Sequence, residues 1–100
     1  MQQLAISGDL VASTLAGRKK NTIRAGRRDI VTGPLRLVPG DGSPSFVVEV
    51  AEVGHKLADE VTMAEIRENG FAGQRDMLSG MRRFYPHFGP KSEVTVVRWK

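Results

Sequence analysis

No cysteine occurs in the chain, which excludes disulfides, thiolate catalysis and cysteine-based zinc sites. The only histidines are His55 and His87, and no HExxH or related spacing joins them. Neither a metal site nor a cofactor is therefore expected. Aromatics are scarce, at 6% of residues, with one tryptophan and one tyrosine. No apolar run approaches the ~20 residues that span a bilayer. No charged start followed by an apolar stretch reads as an export signal. A soluble, cytoplasmic protein without membrane contact is the expectation.

What is present is a basic surplus: 15 lysines and arginines against 11 acidic residues, a net charge of +4. Such a balance favours a polyanionic partner, RNA above all, because phosphate neutralisation releases counterions. It also serves solubility alone. With 100 residues, 1–100 forms one domain with one modest core. A monomer is favoured.

Read in order, Met1–Ile6 is a frayed start or a short edge segment. From Asp9, the residues Leu10, Val11, Thr14 and Leu15 fall on one helical face, with Ser7 or Asp9 as its cap. Leu35–Val38 alternates as a strand. The turn signal Pro39-Gly40-Asp41-Gly42-Ser43-Pro44 leads into a second strand, Ser45–Val53. Apolar residues on both faces near Val47–Val50 suggest a strand inside a closed barrel. Residues 54–61 read mainly as a connection. Thr62-Met63-Ala64-Glu65 is a capping box, and the helix it opens ends at Asn69-Gly70. A further helix starts near Gly73. Met77, Leu78, Met81 and Phe84 recur there at helical spacing as a core stripe, and Tyr85-Pro86 ends it. Glu93–Trp99 alternates as a closing strand, with Trp99 as a barrel plug. His55 is a loop histidine without a task.

The stretch from Leu15 to Arg24 carries the chemistry. Gly17 suits a left-handed helix cap, and cations follow where the helix C-terminus favours them. Lys19, Lys20, Thr22 and Arg24 then place two amines, a hydroxyl and a guanidinium at a helix-to-strand junction. That set suits an anion or a polar planar ligand. A solvated cap is the bland reading of the same run. Arg82 and Arg83 extend a basic groove or form solvated surface, and Phe84 and Tyr85 stack on a base or pack in the core.

The order Gly17-x-Lys19-x-x-Thr22-x-Arg24 resembles the signature loop of the ASCH domain family, whose fold belongs to the PUA-like barrels. Gly33-Pro34-Leu35-Arg36-Leu37, Asn69-Gly70-Phe71, Phe84-Tyr85-Pro86 and the final Val-Thr-Val-Val-Arg extend the resemblance over nearly the whole chain. It implies an α+β fold, a small PUA-like β-barrel flanked by short helices. It also implies an RNA- or nucleoside-binding pocket rimmed by the signature loop. Arg18, Lys20, Arg24, Asn69 and Tyr85 are then the binding residues, and RNA or a modified cytidine the partner.

Some small bacterial members hydrolyse N4-acetylcytidine, and others act as ribonucleases. For the amidohydrolase, the resemblance assigns Lys19 as base, Thr22 as nucleophile and a glutamate as proton donor. A lysine serves as base when its protonated form is disfavoured, and Arg18, Lys20 and Arg24 push that way. The acid's slot holds Asn69, with Glu68 one residue earlier, and Lys20 stands where threonine is common. Glu68 completes the catalytic set. A purely structural or partner-binding domain is the remaining alternative.

Overall fold

The computed structural model describes residues 1–100. Five strands form one mixed sheet: β1 (Gln3–Ile6), β2 (Asn21–Ala25), β3 (Gly33–Pro39), β4 (Phe46–Leu57) and β5 (Glu93–Trp99). Three short helices accompany them: α1 (Val11–Leu15), α2 (Met63–Asn69) and α3 (Gln74–Arg82). The spatial order is β1-β3-β4-β5-β2. β1 runs parallel to β3, with Gln3 opposite Arg36, and every other pairing is antiparallel. β1 and β2 are thus the two edges, and the sheet is a curled half-barrel.

The strands form because β-branched and apolar residues find cover on both faces. β5 shows this most clearly: Val94, Thr95, Val96 and Val97 are all buried. Val94 and Val96 join Ile23, Ile66, Met77, Met81 and Phe88 under α2 and α3. Val97 and Trp99 join Ile6, Leu35, Leu37 and Val50 inside the curl. The sheet therefore separates two apolar clusters. A register shift between Val50 and Glu52, where β4 meets β5, marks an irregularity of the kind that bends a strand.

The helix boundaries follow local chemistry. The Thr62 hydroxyl accepts from the Glu65 amide at 3.2 Å, and Glu65 Oε1 accepts from the Thr62 amide at 2.9 Å, forming the capping box read in the sequence. Lys56 Nζ adds an ion pair to the same carboxylate at 2.9 Å. Gly70, at φ 110°, ends α2 in the left-handed region that glycine enters without strain.

Of the two readings of Met1–Ile6, the short edge segment is the one observed: β1 is an edge strand whose parallel partner local sequence does not reveal. Several other expectations need correction. The first helix is shorter than its pattern: a 3-10 turn covers Gly8–Leu10 before α1. Neither Ser7 nor Asp9 caps it through a side chain; instead the Ser7 hydroxyl donates to the Asp9 carboxylate. Leu15 leaves the apolar face at 66% exposure. β4 runs four residues past Val53, since β5 continues to pair with it as far as Leu57. Val47 is 49% exposed, because it shares with Glu49 the face of β4 that is left uncovered at that end of the strand. Phe84 is 70% exposed and not core, because α3 ends at Arg82 and the following turn rotates it off the Met77–Met81 stripe. His55 Nδ1 lies 3.2 Å from Thr95 Oγ1, which gives that histidine a structural hydrogen bond.

Leu35 is fully buried inside the curl. Leu35→Ala is expected to lower stability by about 2–5 kcal/mol, the usual range for a buried large-to-small change. Urea unfolding checks this, and a loss below about 1 kcal/mol would contradict the packing described.

Candidate nucleic-acid interface

The two edge strands face each other without pairing, and the gap between them is where polar side chains gather. Arg24 on β2 reaches across it, its guanidinium donating to the Ala5 carbonyl on β1. Arg24 Nε also donates to the Thr22 hydroxyl at 3.0 Å. Thr22 lies opposite Val97 and so points into the curl, while Ile23 opposite Val96 points under the helices.

The gap opens into a cavity of about 460 Å³. Ala5, Ile6, Thr22, Ile23 and Arg24 supply its strand walls, and Met81, Phe84 and Tyr85 its helical side. Lys19, Asn69 and Phe71 complete the polar corner. No aspartate or glutamate lines it.

Lys19 is the unusual member. Gly17, at φ 78°, turns the chain sharply after α1, and the Arg18 and Lys19 amides both return to the Ser13 carbonyl. This coil tucks Lys19 inward until only 5% of it is exposed. Its carbonyl accepts from the Trp99 indole at 3.3 Å, which pins the backbone to the β5 terminus. Its ammonium joins none of the four ion pairs in the molecule. Burial, followed by the charge of Arg24, lowers its pKa from 10.5 to about 8. The cause differs from the expectation, which credited Arg18, Lys20 and Arg24. Withdrawal from water dominates, because desolvation opposes the charged form most directly. Burial also lowers the pKa of Arg24, an effect that the facing Tyr85 opposes.

Asn69 is held from beneath by Asn21, a residue that sequence reading missed. Asn21 is completely buried on β2; its amide nitrogen donates to the Glu65 carbonyl at 2.8 Å, and its side-chain oxygen accepts from Asn69 Nδ2 at 2.9 Å. Asn69 Nδ2 also reaches the Asn21 carbonyl at 3.3 Å. The pair locks the end of α2 to β2 and commits the nitrogen of Asn69, leaving its side-chain oxygen without a hydrogen-bond partner on a residue that lines the cavity. An asparagine inside a β-prone run was the available signal.

The structure thus brings Lys19, Thr22, Arg24, Asn69 and Tyr85 to one cavity. It does not bring Glu68 there. Glu68 Oε1 pairs with Arg98 at 2.9 Å, and its backbone carbonyl accepts from the Lys20 amide. One position along the helix turns the side chain about 100°, enough to carry it toward β5. Lys20 is exposed and lines neither this cavity nor its neighbour. Arg18 lines the neighbouring cavity. Arg82 donates to the Phe88 carbonyl at 2.8 Å and lines neither of these two cavities. No cluster of three or more potential metal ligands occurs anywhere in the fold, and no helix is long and apolar enough to cross a membrane.

Comparison with solved structures assigns this architecture. An ASCH domain from Lactobacillus crispatus JV V101 superposes with a TM-score of 0.73 at 15% identity, covering 99% of this chain and 79% of that one. A protein from Enterococcus faecalis V583, assigned to domain of unknown function 984, gives 0.63 at 14% identity. That match covers 93% of this chain and 64% of the other. The fold is therefore the small α+β fold of an ASCH domain. No family model matches the sequence, and no curated protein matches it.

The buried ammonium makes stability depend on pH in a defined direction. Lys19 has a folded-state pKa near 8, below its unfolded value of 10.5, so between these values the unfolded chain holds more protons. Stability from this group therefore rises with pH across that window. Lys19→Met is expected to stabilise the protein at pH 7 by roughly 1–3 kcal/mol, since it removes a desolvated charge. The advantage should shrink as pH rises from 8 to 10. Urea midpoints of both proteins check this; a difference that stays constant between pH 7 and 10 would contradict it.

Proposed function

We propose that the cavity between the two sheet edges binds a nucleobase, presented by RNA or by a modified cytidine. The observation that carries this reading is Lys19: a lysine only 5% exposed, its ammonium without an ion-pair partner, on the wall of a cavity that holds no carboxylate. A desolvated donor of this kind is stabilised by a ligand acceptor, because hydrogen bonds to charged groups are strong where water is excluded. The Asn69 oxygen beside it accepts. A neighbouring donor and acceptor match the edge of a planar base that offers a carbonyl and an amine. Phe71, Phe84 and Tyr85 supply apolar and aromatic walls suited to a π face. The ASCH fold and the resemblance of the signature loop to that family support the same reading.

Binding of single-stranded RNA is expected to weaken as salt rises, through counterion release. Lys19→Ala combined with Arg24→Ala is expected to lower affinity roughly 10–100-fold, the loss of one or two charged hydrogen bonds. Fluorescence anisotropy with labelled oligonucleotides reads this. Absence of binding to any single-stranded or structured RNA, or to any nucleoside, at low salt would overturn the reading.

A specific observation favours a second reading, hydrolysis of N4-acetylcytidine. With a pKa near 8, Lys19 has a neutral fraction at physiological pH and shares its wall with the Thr22 hydroxyl. A lysine base would activate that hydroxyl for attack on the acetyl carbon, and the cationic rim would stabilise the oxyanion. The leaving amine then needs a proton, and the cavity wall offers no carboxylic acid for it. Asn69→Asp is therefore expected to raise turnover, since a positioned acid contributes ~10²–10⁴-fold. Thr22→Ala should abolish it, and Glu68→Gln should leave it unchanged. A wild type that turns over well and loses activity in Glu68→Gln would contradict this distribution of roles.

A further inference from the structure

A second cavity of about 530 Å³ adjoins the first, and the two share Lys19, Asn69, Phe71 and Phe84 as a common wall. The character changes across that wall. The first cavity is largely apolar, whereas the second adds Arg18, Arg67 and Arg83. All three arginines are exposed, and none takes part in the molecule's four ion pairs. The single acidic residue on the wall, Asp9, already accepts from the Ser7 hydroxyl. Three guanidiniums from three separate segments, the loop after α1, the last turn of α2 and the residue after α3, thus line one cavity against a single carboxylate, so positive charge is in excess there. Phe84 stands at the border, 70% exposed, with the Arg83 guanidinium 5.9 Å from its ring centroid. An exposed aromatic ring with a cation beside it, between an apolar cavity and a basic one, has the order of parts found along a nucleotide: base, then phosphate.

We propose that the second cavity is a phosphate subsite, so that the ligand is a phosphorylated nucleotide and not a free nucleoside. The base enters the first cavity, Phe84 stacks at the border, and Arg18, Arg67 and Arg83 receive the phosphate. Guanidinium groups suit this task because they donate paired hydrogen bonds to phosphate oxygens and are weakly hydrated. The proposal rests on the reading of the first cavity as a base site. The phosphate has two sources, a free mononucleotide or an internal position of an RNA chain, and their shared chemistry is what the arginines recognise.

Calorimetric titration of the full chain tests this, using the four ribonucleosides, their 5′- and 3′-monophosphates and a short single-stranded oligoribonucleotide. At low salt, at least one monophosphate is expected to bind roughly tenfold or more tightly than its nucleoside, the gain from one charged contact. Inorganic phosphate should compete with the nucleotide and leave nucleoside binding unchanged. Arg18→Gln, Arg67→Gln and Arg83→Gln combined should remove the phosphate advantage while keeping nucleoside affinity within twofold. These residues are exposed, and unchanged thermal unfolding of the triple variant verifies its fold. A further gain for the oligonucleotide over every mononucleotide assigns the phosphate to a chain; equal affinity assigns it to free nucleotides. Equal binding of nucleoside and nucleotide overturns the phosphate subsite and leaves the base site standing. Failure of every nucleoside, nucleotide and oligonucleotide to bind overturns the base site and this proposal with it.

Discussion

The structure turns on one unfavourable placement, the burial of the Lys19 ammonium in the gap between two unpaired strand edges. An isolated charge in such a place is costly, and proteins ordinarily avoid it or pair it. Here the charge that acts on it is another cation, Arg24, which adds to the penalty. The fold tolerates the arrangement because the surroundings are fixed by other means. Trp99 anchors the Lys19 carbonyl, Arg24 is committed to Ala5 and Thr22, and the buried Asn21 ties β2 to the end of α2. Two apolar clusters on opposite faces of the sheet hold that frame rigid. The site is thus a preorganised region of positive potential, kept in place by packing that does not depend on it.

The open edge explains why the cavity lies where it does. A closed barrel would pair β1 with β2 and fill the gap with backbone hydrogen bonds. The half-barrel leaves those edges apart, and one arginine side chain bridges them. Under the proposed function, a planar ligand entering this opening would meet both strand edges at once. The basic cavity beyond Phe84 continues the same surface outward, so that charge increases from the apolar interior toward solvent.

Much of this was legible in the residues. The capping box at Thr62–Glu65, the glycine stop at Gly70 and the alternating closing strand are local signals, and local chemistry decides them. The residues that the structure departs on are those whose fate depends on distant partners. Lys19 reads in the sequence as a site residue or as part of a solvated cap; the tight coil after Gly17 and the Trp99 anchor, which draw it inside, are not local patterns. Asn21 shows no role of its own in the sequence until Asn69 is placed against it. Phe84 falls on the helical period of Met77 and Met81, yet the helix ends before reaching it. Glu68 and Asn69 differ by one position, and the pairing of Glu68 with Arg98 on β5 separates them. That pairing is invisible to any pattern along the chain.

The most direct measurement is a titration of the Lys19 side chain itself, followed by NMR of the Nζ and adjacent methylene nuclei, with and without a bound nucleotide. The free protein should show a lysine that titrates near pH 8, separated from the others. A bound ligand that accepts from the ammonium should move that value upward, since a hydrogen bond to the charged form favours it. A Lys19 that titrates with the ordinary lysines, near 10.5, and does not respond to any nucleotide would contradict both the buried ammonium and the site built upon it.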